Sequence, residues 1–201
     1  MIHLKHCRVL KQSPGDLTHY TMSFIALFLV AVVMLTTLVL RRTQTSKALL
    51  EDGLAAATLA SALPDTHELA KNGTLLITDS AAAWAAYQNA LRSNYGLTPQ
   101  YEAVNSAFVS GRVELLEYRI YNVEESSVSI ISINTASGAA SESSGALGSV
   151  VTPNGITVQH TTVYAKIGLN VKSLSVKWPG VTGNPLQYVT LSKAVDLVES
   201  T

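Results

Sequence analysis

Cysteine is almost missing from this chain. Of its 201 residues only Cys7 carries a thiol. Because Cys7 precedes the one long apolar run, everything beyond that run lacks both a disulfide framework and a thiolate metal site. Charge is scarce as well: Asp, Glu, Lys and Arg make up 14% of the residues and the formal net charge is zero. That composition offers no basic surface to hold a phosphate backbone, so nucleic acid is not an expected partner. The sequence has no G-x-S-x-G, no H-E-x-x-H and no G-x-x-x-x-G-K, and beyond the apolar run only His67 and His160 carry imidazole. Neither has a companion at metal-ligand spacing. Glu51 with Asp52, and Glu124 with Glu125, are sequence neighbours and so point in different directions, which gives no carboxylate dyad. The serines between Ser137 and Ser149 have no base beside them to activate a hydroxyl. The expectation is a non-enzymatic chain with no catalytic residue, cofactor or metal ion.

What the sequence does have is Tyr20 to Leu40, YTMSFIALFLVAVVMLTTLVL, without a single charge. As a helix at about 1.5 Å per residue it is about 31 Å long, close to the ~30 Å hydrocarbon core of a bilayer. A secretory signal's apolar core is shorter and ends at small residues, whereas this one runs into Arg41 and Arg42. It reads as a retained anchor whose partner is the lipid bilayer. Residues 1–15 read as a short basic leader on the cytoplasmic side. There Pro14-Gly15 breaks any helix before Asp16, and Asp16 or Thr18 caps the helix that follows. His3, His6 and Cys7 lack a fourth ligand. Lysine and arginine are balanced across the anchor, so the orientation rests on the length of the following domain, since long segments translocate largely regardless of charge.

Helical spacing of leucine and alanine continues over 43–63, interrupted by Gly53 and stopped by Pro64, which makes 16–63 one anchor and helical continuation. Ala48, Ala55, Ala56, Ala60 and Ala62 form a small-residue stripe that permits close helix packing, either against the chain's own domain or against copies and partner helices. Residues 64–201 read as one extracytoplasmic domain of α+β class. Asp65–Gly73 is expected as a polar connector and Leu75–Ile77 as a short strand. Asp79 caps a helix over Ser80–Tyr95 with Trp84, Tyr87 and Leu91 on one core-facing side, and Gly96 stops it. From Val113 onward, runs rich in valine, isoleucine, threonine and tyrosine predict four to five antiparallel strands. In one of them Val163, Ala165, Ile167, Leu169 and Val171 face inward, with Thr162, Tyr164, Lys166 and Asn170 outward. Residues 134–149, NTASGAASESSGALGS, lack aromatic and large apolar side chains apart from Leu147 and read as a flexible loop. Turns are expected at Pro153-Asn154-Gly155, at Trp178-Pro179-Gly180 and through Gly183-Asn184-Pro185, with Trp178 either a lid on the core or an exposed contact, the lid being the better reading. Asn72-Gly73-Thr74 matches the N-glycosylation triplet.

The basic leader ending in Gly15, the uncharged helix that starts within five residues, the continuation ALLEDGLAAATLASAL and the carboxy-terminal sheet together resemble the TadE-like minor pilins or pseudopilins of tight-adherence and type IV filament systems. LLITDSAAAWAAYQNALRSNYGL, VYAKIGLNVKSL and YVTLSKAVDLV are also similar to that group. The resemblance implies cleavage by a prepilin peptidase between Gly15 and Asp16, and assembly with other pilin-like subunits or with itself through the N-terminal helix. The fifth position after that cleavage is Tyr20, where the pilin pattern carries glutamate. An anchored extracytoplasmic binding or sensor domain is the other expectation from the same residues.

Overall fold

The computed structural model describes residues 14–104, 106, 108–172 and 186–198. Residues 1–13 of the leader, with His3, His6 and Cys7, and the expected turns at Trp178 and Gly183-Asn184-Pro185, lie outside them. The described chain is α+β, with three helices and a five-stranded antiparallel sheet. Two compact units divide it, 1–44 and 45–201.

Helix α1, Pro14–Ser61, begins two residues earlier than the sequence suggests. Proline has no N–H to lose in the first turn of a helix and its φ already suits one, so Pro14 starts the element it was expected to block. The end comes at Ser61, where Ala62 and Leu63 donate to the carbonyls of Leu59 and Ser61 in a tightened last turn. Polar Asp65–Gly73 is not a plain connector. It forms α2, Thr66–Asn72, with the Asp65 carboxylate accepting from the backbone N–H of His67 and Glu68, and Gly73 closing it in the left-handed region at φ 67°. No side chain of α2 is buried, so no apolar periodicity announces it. Helix α3, Ser80–Tyr95, has the expected bounds: Asp79 accepts from Ala82 N–H, and Gly96 at φ 63° returns its N–H to the last turn.

The strands are β1 Val109–Glu124, β2 Ser127–Ile133, β3 Ala140–Ala146, β4 Thr162–Lys172 and β5 Leu186–Asp196, in the order β3-β2-β1-β4-β5. Strand β3 lies inside the segment expected as a flexible loop. Its side chains, ASESSGA, bury almost nothing, and what holds it is the backbone ladder to β2, from Ser127↔Ala146 to Ile133↔Ala140. Gly145 admits the side chain of Val150, whose Cγ2 would stand 2.5 Å from a Cβ at that position. Leu75–Ile77 is not a strand. Asn122 of β1 already has Ser129 as its β2 partner in the ladder, and its side chain takes up the segment instead: Oδ1 accepts from Ile77 N–H at 2.9 Å and Nδ2 donates to Ile77 C=O at 3.0 Å.

The main core lies between the helices and one face of the sheet. It joins Leu50, Leu54 and Ala57 of α1, Trp84, Tyr87 and Leu91 of α3, and Tyr118, Ile120, Ile131, Val163, Ala165, Ile167 and Leu169 of the strands. The outer face of β4 is more covered than the alternation suggests. Thr162 and Tyr164 are buried, and Tyr121, Val128, Val158 and Tyr164 form a second cluster under the segment after β3.

Candidate functional site

The longest apolar surface belongs to the first unit. From Thr18 to Leu40 the side chains of α1 are exposed but for a half-exposed Val39, and the most apolar window has none buried within the protein. This helix is long and apolar enough to cross a membrane. The threonines in its second half are satisfied internally, as hydrocarbon requires. The Thr36 hydroxyl donates to the carbonyls of Val32 and Val33, each at 2.9 Å, and the Thr37 hydroxyl to those of Val33 and Met34 at 2.7 and 2.9 Å. Gly15 and Asp16, the candidate cleavage pair, lie in the first turn of α1.

In the second unit, 45–61 buries one side of α1. Ser46, Leu50, Leu54, Ala57, Thr58 and Ser61 face inward, a spacing of three and four that defines a helical face. The five candidate alanines do not share it. Ala62 is buried and Ala55 half-buried, whereas Ala48, Ala56 and Ala60 are exposed beside exposed Leu49, Leu59 and Leu63. The buried small residues that matter most were not among them. Ala57 is fully buried, and Gly53 admits the Tyr95 ring, whose Cε2 and Cζ would be 3.3 Å from a Cβ at residue 53. The Tyr95 hydroxyl donates to Leu50 C=O, and Asn94 Nδ2 donates to Gly53 C=O at 3.0 Å. A glycine inside an otherwise regular helix was the available signal for this close approach.

The remaining polar candidates stay dispersed. His67 is exposed, with Nδ1 3.9 Å from Glu68 Oε1. Asn72 is exposed and donates to Glu68 Oε2 at 2.7 Å. His160 is exposed between two open depressions of about 320 and 600 Å³, one lined by Thr74, Leu75 and Leu197, the other by Glu125, Ser126 and Leu147. Among the described residues no three His, Cys, Asp or Glu side chains come together to hold a metal ion. Asp65 is the perturbed carboxylate: hydrogen bonds from the Thr78 hydroxyl at 2.6 Å and from the N–H groups of His67 and Glu68 hold its pKa below the usual value.

The other perturbed groups are tyrosines, most of them buried. Trp84, Tyr87 and Tyr118 pack ring on ring with centroids 4.9 to 5.6 Å apart. Burial pushes the Tyr118 hydroxyl up to about 12 and raises Tyr87 well above its ordinary range. The Ser61 hydroxyl beside Tyr118 donates to Thr58 C=O at 2.6 Å, and the hydroxyls of Tyr87 and Tyr118 find no good hydrogen bond among the described residues. Trp84 and Tyr87 are core, as their spacing on α3 suggests, and Tyr118 of β1 joins them. Comparison with protein-family models, with curated proteins and with solved structures gives no match to this chain.

Proposed function

We propose that the chain is a non-enzymatic, membrane-anchored structural subunit, a minor pilin-like or pseudopilin component of a bacterial surface filament or secretion system. In this reading Tyr20 to Leu40 holds it in the bilayer with the leader in the cytoplasm, 43–63 continues the helix, and 64–201 form its extracytoplasmic domain. One observation carries the reading. A single unbroken helix changes character along its length, from a stretch with no buried side chain and internally bonded threonines to a stretch with one side buried in a sheet domain. The exposed side of the second stretch, with Leu49, Ala56, Leu59, Ala60 and Leu63, is what a neighbouring subunit's helix would meet.

Intact-mass analysis of the protein purified from native membranes tests this. The expected product begins at Asp16 and resists extraction by alkaline carbonate. A mature chain that keeps its leader points instead to an anchored binding or sensor domain, and recovery from the soluble fraction refutes the anchor itself.

A further inference from the structure

The segment that carries Val150 and Val158 covers part of the sheet's outer face, over Tyr121, Val128 and Tyr164. The rows around Gly168 and Asn170 stay open, with Tyr188, Thr190 and Ser192 of β5 exposed. Tyr188 is paired with Asn170 and Thr190 with Gly168, so the tyrosine leans diagonally across a position that has no side chain. A Cβ on Gly168 would stand 2.8 Å from Tyr188 Cζ and closer still to the hydroxyl. That hydroxyl donates onward to Glu114 Oε2 at 2.8 Å, and Glu114 is the β1 partner of Gly168. Rooted on β5 and tied to β1, the side chain reaches across β4 at Gly168. Its hydroxyl end overlies Gly168, and the residue is 51% exposed. Every other described aromatic side chain in 45–201 is buried or half-buried.

From this geometry we infer that Tyr188 is a stacking platform for a neutral saccharide, with Asn170, Thr190 and Ser192 as the hydrogen-bonding groups around it. The face of a phenol ring carries the negative part of its quadrupole, and the face of a pyranose presents polarised C–H groups to it. The sugar's hydroxyls project at the rim, where an amide and two hydroxyls are placed to meet them. Glu117 and Lys166, on the same side of the sheet, are cross-strand partners of opposite sign, and the Glu114 carboxylate at the ring adds a negative charge, so the surroundings disfavour an acidic sugar. A proline-rich peptide would need a groove between aromatic ridges, and this surface is a plane with one ring. The inference stands apart from the anchoring reading, since it uses only the second unit.

The full chain in detergent micelles, applied to an array of immobilised neutral oligosaccharides beside sialylated ones and proline-rich peptides, tests it. Wild type is expected to be retained by neutral oligosaccharides. Tyr188→Ala should lower that retention by about tenfold or more, the scale of a lost stacking partner. Tyr188→Phe keeps the ring and should retain most of the binding, whereas Gly168→Ala lifts the ring and should weaken it. Unchanged circular dichroism shows that each variant folds. No retention on neutral oligosaccharides, retention that Tyr188→Ala leaves intact, or retention only on acidic glycans or peptides overturns the proposal.

Discussion

Replacing Asn122 with alanine should destabilise the sheet domain by about 3 kcal/mol. Asn122 is 6% exposed and Ile77 1%, and the amide of the first satisfies both backbone groups of the second. Truncation leaves the Ile77 N–H and C=O buried without partners. Each such group costs about 1 to 3 kcal/mol, set against the ~1 kcal/mol net worth of a made hydrogen bond. A cost near 3 kcal/mol is a large share of the ~5–15 kcal/mol that holds a typical domain together. In urea, with a slope of about 2 kcal/mol per molar, it moves the unfolding midpoint down by roughly 1.5 M at constant slope. Urea titration of the full chain in micelles, followed by tryptophan fluorescence, reads this directly. Asn122→Asp is expected to be no better, because it removes the donor and buries a charge. If the Asn122→Ala midpoint stays within about 0.3 M of wild type, the two bonds do not hold the segment and the reasoning fails.

Above pH 10 the domain should lose stability, because Tyr118 titrates near 12 when folded and near 10 when unfolded. A raised folded pKa gives stability that is complete below the unfolded value and is lost as pH climbs toward the folded one, by up to about tenfold in the folding equilibrium per pH unit. Tyr118→Phe should flatten that alkaline limb, and an unchanged limb refutes it. Asp65 has the opposite sign. Its pKa is lowered on folding, so its contribution is present above the unfolded carboxylate value and fades as pH falls, and acid titration of Asp65→Asn should show a shallower loss than wild type. Aspartate at Phe28, Val32 and Leu35 together should cost insertion about 10 kcal/mol, at ~3 kcal/mol each, and remove the chain from the carbonate-resistant membrane fraction. A triple variant that stays there refutes the membrane role of α1.

Long-range order in the sequence was legible where side chains themselves enforce it. The uncharged run, the caps Asp79 and Gly96 and the alternation in β4 each tie a physical demand to a residue type. What escaped depends on backbone or on distant partners. Strand β3 has no apolar face to betray it and is held by hydrogen bonds to β2. Helix α2 is short and exposed, with only Asp65 and Gly73 to mark its ends. Leu75–Ile77 looks like a strand by composition, yet it meets a side chain of β1 that lies 45 positions away in the chain. The candidate alanines divide for a geometric reason: Ala48, Ala55 and Ala62 recur every seven residues while Ala56 and Ala60 are four apart, and these two sets fall on different sides of a helix. The Tyr188 platform was signalled only by a glycine inside a strand, a residue whose partner composition alone does not name.

The position of β1 in the middle of the sheet sets an order of events during synthesis. Its ladder with β2 closes early, but the other edge stays open until Lys172 of β4 has been made, a wait of several seconds at ~5–20 residues per second. Through that interval Tyr118 and Ile120 belong to a half-built sheet attached to an already complete greasy helix, a combination that invites aggregation. A recombinant fragment that stops before Lys172 is expected to leave one edge of β1 unpaired and to aggregate, which light scattering against the full chain checks.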